Sequence, residues 1–556
     1  MIVRATLKSG PSKSQPNLSI DITPITVFIG PNNSGKSQIL NEISQECRSG
    51  ERWGNRHLLN SLEFSNLGES EAERYSKSII LEGSHYNTGS KDIVYASGST
   101  ETKKVNKHSL LRSLIYPNEI EVRKHFIEFY LAKRVMFLNG EDRVKLTDQQ
   151  PGGELQHPRT SFQHLFVNDE LRRKYSNIIY RSFGRYAVID PMSPLGSLTL
   201  RLSKVAPPSP EVERGLGNAS VAFYGAAEYV SQASDGIKAF AGIMSEVLAG
   251  DPKILLIDEP EAFLHPALAY NLGREISQSV TEVDKRLFVS THSSQFLMGC
   301  IQSGVPINVV RLTYRDGVAT ARLLPNEEIV RLMRHPLLRS ANVLSALFYE
   351  SVVVTESDTD RAFYQEINER LLQTNRGINN CLFLNAQNKH TIPFIATPLR
   401  SLGIPTAAVY DVDFIDDGGK EAARYMEAAG IPELLRQGYN TNRSQISSAL
   451  RQANPSFKTE GGINVLEGSV KTAARNYFDI MDSYGCFVVR EGEVESWLKE
   501  LNIKGHGSPW LLGVFGKMGE DPGSEDYINA ASDDVWKFVD EIAEWLLNPH
   551  RNGMPD

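Results

Sequence analysis

The chain has 556 residues, 41% of them apolar and 23% charged, with a formal net charge of −8. That length exceeds one hydrophobic core, so about two to four domains are expected, in a composition typical of ordinary globular proteins. No apolar run reaches the roughly 18–20 residues of a membrane span and no signal-peptide pattern opens the chain. The negative balance gives no global pull toward nucleic acid, so any such contact must come from local basic stretches such as residues 103–107 and 331–339. Cys47, Cys300, Cys381 and Cys486 lack metal-ligand spacing and read as reduced thiols of a cytoplasmic protein with no membrane partner.

In chain order, Ile20-Asp21-Ile22 and Ile25-Thr26-Val27-Phe28-Ile29 read as strands, followed by a loop and a helix beginning near Lys36. Residues 50–130 are polar and irregular apart from an amphipathic stretch at 120–131, and read as an inserted, helical dimerisation piece. Val135 to Leu138 is strand-like, residues 146–158 read as a loop, and residues 205–210 form a turn-rich connector. Residues 226–248 carry a helical pattern, and Ile254 to Ile257 is a fully apolar buried strand. A second α/β unit begins near Tyr349: strand, helix (360–372), strand (382–384), helix, strand (406–410), and a further strand at 486–489. The alternation predicts an α/β protein with mainly parallel strands, divided at about residue 347.

Gly30-Pro31-Asn32-Asn33-Ser34-Gly35-Lys36-Ser37 is a P-loop between a strand and a helix. Its glycines let backbone N–H groups of Asn32, Asn33 and Ser34 curl around phosphates, Lys36 offsets the β and γ charge, and the Ser37 hydroxyl can ligate magnesium. Ile254 to Ile257 then delivers Asp258 and Glu259 at a strand end, the first to hold magnesium and the second to polarise the attacking water. Two apolar runs further on also stop abruptly at acids. Residues 351–360 end in Glu356 and Asp360, and residues 407–413 end in Asp411 and Asp413. Strand ends of a parallel sheet hold carboxylates rigidly along one rim, and hard divalent cations want such oxygens. Glu495 is the candidate to complete a second cation position, whereas Asp358, Glu491 and Glu493 read as solvated acids. A lysine to steady a phosphate in the transition state is sought at Lys504 or Lys517, both after the last acidic stretch.

Ser234-Asp235-Gly236, opening a helix ahead of the acidic strand, resembles the degenerate signature of ABC-type ATPases, and Val289-Ser290-Thr291-His292-Ser293 resembles their switch-histidine segment. The resemblance implies that Ser234 and Gly236 meet the γ-phosphate held by an opposite subunit, that His292 lies near it, and that the ATPase domains form a homodimer or larger homo-oligomer. Asp258-Glu259-Pro260-Glu261-Ala262-Phe263-Leu264-His265-Pro266 resembles the ATPases of the SMC, double-strand-break repair and OLD (overcoming lysogenization defect) group. No sustained heptads separate the P-loop from Ser234, which disfavours the long-armed members.

Downstream, Glu356-x-x-Thr-Asp360, Asp411-x-Asp413 and the stretch from Gly492 to Leu498 resemble the Toprim domain of OLD-family nucleases, while Asn388-Lys389 stands where relatives place Gly-Gly-Lys. The resemblance implies an ABC-type ATPase domain at 1–347 with an insertion at about 50–130, followed by a Toprim-like α/β domain at 348–556. It implies ATP and magnesium as cofactors, with manganese an alternative at the Toprim acids. The implied activity is metal-dependent cleavage of nucleic acid, DNA ahead of RNA such as tRNA, in bacterial anti-phage defence, with a partner protein or nucleic acid of the defence system. A different class of function is an ATPase sensor or scaffold that recruits a separate effector.

Overall fold

A computed structural model describes the chain except residues 13–14, 50–55, 82–85, 87–91, 194–195, 316, 328, 331–335, 337–341 and 555–556. The arginines of the 331–339 basic stretch lie outside the described residues. The molecule divides into two compact units, Met1–Asn326 and Glu327–Asp556. Among the described residues no helix is long and apolar enough to cross a membrane.

The first unit contains β1 (Ile2–Leu7), β2 (Leu18–Asp21), β3 (Ile25–Ile29), β4 (Leu59–Phe64), β5 (Ile93–Ser97), β6 (Thr102–Asn106) and β7 (Val135–Leu138). It continues with β8 (Gln150–Pro151), β9 (Tyr186–Asp190), β10 (Ser197–Ser203), β11 (Glu228–Tyr229), β12 (Ile254–Asp258), β13 (Arg286–Ser290), β14 (Ile307–Arg315) and β15 (Val318–Leu324). Its main sheet has the order β15-β14-β3-β13-β12-β7. All neighbours run parallel except the β14–β15 hairpin. Every residue of β3 is buried, and so is Ile254 to Ile257 of β12, which is why both read as unbroken apolar runs. The register sets Asp258 opposite Ser290 and Ser290 opposite Phe28. The loops leaving β3, β12 and β13 therefore open on one carboxyl rim, where α/β sheets present ligand sites.

Two stretches differ from the sequence reading. Within residues 50–130, β4 pairs antiparallel with β1 in a separate sheet of order β2-β1-β4, so this part is built into the unit. Leu59, Leu62 and Phe64 supply its buried positions amid exposed polar residues, a short pattern easily lost in a polar background. The remainder holds the helix Glu69–Ile79, the β5–β6 hairpin and the helix Lys107–Ile115. Further on, the helix before the acidic strand starts only at Asp235, because β11 pairs with β10 and a short 3-10 turn precedes it.

The second unit holds β16 (Ser351–Thr355), β17 (Cys381–Asn385), β18 (Thr406–Asp411) and β19 (Cys486–Val489), all parallel, in the order β17-β16-β18-β19. Val352 to Val354 are fully buried at its centre, and the apolar faces of the helices Asp358–Gln373 and Asp534–Leu547 bury Phe363, Ile367, Trp536 and Ile542 on it. Asp411 lies opposite Val489 in the register. Glu356, Asp411 and the 490–495 segment thus leave the same rim.

Candidate nucleotide site and candidate metal centre

In the first unit the P-loop takes its shape from backbone conformations that side chains rarely adopt. Gly30 has φ +140° and Gly35 φ +92°, and a Cβ on Gly30 would lie 2.0 Å from the Leu312 carbonyl oxygen. Only glycine fits where the loop crosses so close to β14. Lys36 is buried and donates to the carbonyls of Gly30 (3.0 Å) and Pro31 (2.7 Å). Burial pulls its ammonium down to about 8, against the opposing pull of Glu259 and Asp258. Ser37 donates to Asp258 Oδ1 at 2.9 Å, and Ser290 contacts the same oxygen. A hydroxyl and a carboxylate on one spot are a pair suited to magnesium.

Glu259 sits at φ +50°, and its N–H donates to the Ser290 carbonyl at 2.9 Å. The side chain of Arg143 reaches its carbonyl oxygen. This kink turns Glu259 toward His292, whose Nε2 lies 3.4 Å from Glu259 Oε1. Burial and then the charge of Lys36 lower the His292 pKa, favouring the neutral imidazole. Glu261 was not singled out from the sequence, yet it underpins the histidine. Its Oε1 accepts from Thr291 Oγ1 at 2.7 Å and from the His292 backbone N–H at 2.9 Å. Its other oxygen is buried without a hydrogen-bond partner among the described residues, and burial raises its pKa.

Ser234 is exposed at the start of the helix Asp235–Ala249 and makes no capping bond with its side chain. Gly236 is buried, and a Cβ there would lie 2.6 Å from the Phe263 carbonyl oxygen. Among the described residues, no hydrogen bond or ion pair joins Ser234 or Gly236 to the P-loop.

The second unit gathers its acids from segments far apart in sequence. Oxygens of Glu356, Asp411 and Asp413 all lie within 4.8 Å of one another. Glu356 Oε1 accepts the Asp411 N–H at 2.9 Å, which locks the ends of β16 and β18 together. Burial, then the neighbouring Asp411 charge, pushes the Glu356 carboxyl up; burial likewise pushes Asp411 up against the opposing pull of Lys458. Asp413 Oδ1 is buried with no hydrogen-bond partner among the described residues. An orphaned carboxylate oxygen beside two converging acids fits a hard divalent cation. Asp360 is not in this close triad: its Oδ2 accepts the Ser357 N–H at 2.9 Å in a helix capping box, yet its charge is near enough to help push Asp411 and Glu356 up.

A second convergence comprises Glu493, Glu495 and His506, also within 4.8 Å. Glu495 Oε1 accepts the Gly507 N–H at 2.8 Å and lies 3.1 Å from His506 Nδ1. Glu493 therefore belongs to the cluster, which corrects its reading as a solvated acid; its side chain is only 12% exposed because Gly492 turns it inward from φ +141°. Asp358 pairs with Arg361 and Glu491 with Lys499 at the surface.

The lysines also differ from expectation. Lys504 and Lys517 are exposed, and among the described residues neither pairs with a cluster acid. Lys458 does, at 3.0 Å from Asp411, 3.4 Å from Asp413 and 3.7 Å from Glu493. Lys389 reaches Asp413 at 3.3 Å and Asp417 at 3.2 Å. Lys458 and His506 lie in segments without a motif, so nothing in the linear pattern pointed to either. Lys389 was marked only by its place next to Asn388.

Comparison with known families fits this geometry. Residues 210–298 match the family model of an AAA domain, putative AbiEii toxin, Type IV TA system. Residues 347–413 match that of the overcoming lysogenization defect protein-like TOPRIM domain. This is the pairing of an OLD family ATPase/Toprim protein. The chain thus joins an ATPase domain to a nuclease-type Toprim domain. The first match spans Ser234, Asp258 and His292; the second spans Glu356, Asp411 and Asp413 and stops before Lys458, Glu493 and His506. No curated protein matches the chain. Similar solved structures include an SMC head bound to the C-winged helix domain of ScpA, at 15% identity, covering 59% of this chain and 99% of that one, TM-score 0.33. The SMC head domain from Thermotoga maritima matches at 14% identity, covering 58% and 99%, TM-score 0.28. CbiO1 from Clostridium perfringens, part of the ABC transporter complex cbiONQ, matches at 12% identity, covering 62% and 95%, TM-score 0.30.

Proposed function

We propose that the protein is an ATP-regulated, metal-dependent nuclease acting on DNA in anti-phage defence, with an ATPase domain at 1–347 and a Toprim nuclease domain at 348–556. The observation that carries this reading is the convergence of Glu356, Asp411 and Asp413, with Asp413 Oδ1 left orphaned and a lysine alongside. Glu356, Asp411 and Asp413 would hold one magnesium or manganese ion, and Glu493, Glu495 and His506 a second. Bound there, such ions supply an activated water and neutralise charge on the scissile phosphate. Glu356 keeps Asp411 in place through its N–H, and Lys389 fixes Asp413 so that Oδ1 stays turned inward. Lys458 takes the phosphate-facing role sought at Lys504 or Lys517.

In the ATPase domain, Lys36 and the loop N–H groups bind the phosphates, and Ser37 with Asp258 holds magnesium. Glu259 orients the attacking water, with His292 beside it. The exposed Ser234 hydroxyl, with no capping bond in its own chain, is free to meet ATP on a second copy, which makes the working form a homodimer. The test is incubation of the purified protein with magnesium or manganese, with and without ATP, against plasmid, single-stranded DNA and total RNA. Cleavage of DNA that Glu356→Ala removes, with ATP turnover retained, supports the proposal. Cleavage of RNA alone reassigns the substrate, and no cleavage under any condition leaves an ATPase that recruits a separate effector.

A further inference from the structure

Lys458 enters the acid cluster from the loop between the helices Glu433–Ala453 and Gly468–Ser483. This loop is held by a buried side chain and by backbone hydrogen bonds. Phe457 is 2% exposed, and the Gly462 N–H closes a turn on the Phe457 carbonyl at 2.8 Å. The Ile463 N–H donates to the Arg490 carbonyl at 2.9 Å. Two glycines let the loop lie directly on the Glu493 segment: a Cβ on Gly462 would lie 2.0 Å from the Arg490 oxygen, and one on Gly492 would lie 2.3 Å from the Lys458 oxygen. Both have positive φ, +57° and +141°, so backbone conformation and close approach together demand glycine. The ammonium is therefore delivered to a fixed place among Asp411, Asp413 and Glu493.

That place matters because, among the described residues, Lys458 alone meets Asp411, Asp413 and Glu493 together, whereas Lys389 meets only Asp413 of the three and His506 only Glu493. Lys389 and Lys458 both engage Asp413 at Oδ2, leaving Oδ1 bare, and Asp411 meets Lys458 through Oδ2. Buried like charges this close repel strongly, and a cation between them holds the group together. A divalent ion seated among Glu356, Asp411 and the bare Asp413 Oδ1 would share two carboxylates with that ammonium. At such short range the two cations repel, and each weakens the other's hold on these acids.

We propose that Lys458 is a resident counter-cation of the Toprim acids, holding the cage together without metal and leaving Asp411 and Asp413 when a divalent ion binds. This rests on the metal-site reading above. Metal loading then sets free an ammonium at the mouth of the site, where a phosphodiester can take it up, so one event arms both the cage and the phosphate contact.

The test uses full-length protein without ATP or nucleic acid, and Mn2+ as the probe, followed by the loss of its free paramagnetic signal. Sites that disappear in Glu356→Gln are assigned to the cluster. At those sites Lys458→Met is expected to bind Mn2+ at least about tenfold more tightly than wild type, since a competing charge has gone, whereas Lys458→Arg stays near wild type. Metal-free Lys458→Met should also melt at a lower temperature and gain more from Mn2+. A second measurement needs no variant: acetylation of Lys458 in the wild-type protein, followed by mass spectrometry, should speed up when Mn2+ is added. Cluster sites with equal or weaker affinity in Lys458→Met, or acetylation unmoved by Mn2+ at saturation, overturn the competition alone. Equal Mn2+ binding in wild type and Glu356→Gln overturns the metal-site reading and the proposal with it.

Discussion

The two rims of acids in this protein are built in opposite ways. In the ATPase unit two of the acids have neutral partners: Asp258 receives the hydroxyls of Ser37 and Ser290, and Glu261 receives Thr291 and the His292 N–H. Burial there disfavours the cation Lys36, pulled down to about 8, and also pushes up the Glu261 carboxyl beneath His292. In the Toprim unit carboxylates face one another, and burial disfavours the anions Glu356 and Asp411. Each site thus lacks the charge its ligand brings. At the groups placed to meet a ligand, Lys36 in the first rim and Glu356 with Asp411 in the second, burial acts on opposite charges, which suits the first to polyphosphate and the second to cations.

The sharpest way to break this comparison is to remove one acid from the second rim. Asp411→Ala should lower metal-dependent DNA cleavage by about a thousandfold or more, as loss of a charge that organises a transition state does. ATP turnover should stay within about twofold, because the ATPase unit keeps all its own partners. Cleavage and ATPase rates on one preparation check both halves, and a parallel fall would mean the rims are not separate. The converse change, Lys36→Ala, should weaken ATP binding by about a hundredfold, the scale of a charge-assisted contact, while Mn2+ titration of the acid cluster is unchanged.

Glu261 offers a finer test within the first rim. Because its hydrogen bonds go to the switch segment, Glu261→Ala should lower kcat for ATP about ten- to a hundredfold and leave KM near wild type. Glu261→Gln keeps the accepting oxygen and should recover most of the rate. A change confined to KM would show that Glu261 acts on binding instead.

The smallest expected effect is in pH. Lys36 in the free protein titrates near 8, below its ordinary 10.5, and bound phosphate favours the charged form. ATP affinity should therefore be flat below pH 8 and fall above it, by up to about tenfold per unit, since binding must then take up a proton. Calorimetric titration between pH 7 and 10 checks the slope, and a flat profile would remove the charge contrast between the two sites.

Legibility in the sequence followed contiguity. The P-loop, the strand ending in Asp258 and the Thr291-His292 segment are short, local patterns, because backbone wrapped around phosphate demands neighbouring residues of fixed type. Glu356, Asp411 and Asp413 were also visible, as acids that end apolar runs. Glu493 was read as solvated because its inward turn depends on Gly492 at φ +141°, a conformation that a lone glycine in a polar stretch does not announce. Lys504 and Lys517 were offered because they follow the acidic stretch, yet Lys458 lies 35 residues before Glu493 and still reaches the site.

Composition, apolar runs and motif order by themselves determined a two-part α/β protein, an ATP-binding rim and the strand ends that carry acids. Those features are local: a buried parallel strand must be apolar along its whole length, and a phosphate cradle must be glycine-rich. The tertiary structure decided which charges meet. It brought Lys458, Glu493 and His506 to the acids, set Asp360 into a helix cap, and placed Glu261 beneath His292. Such neighbours are chosen by how loops pack on the rim of a sheet, where a buried carboxylate takes any cation or donor within reach, whatever its distance along the chain.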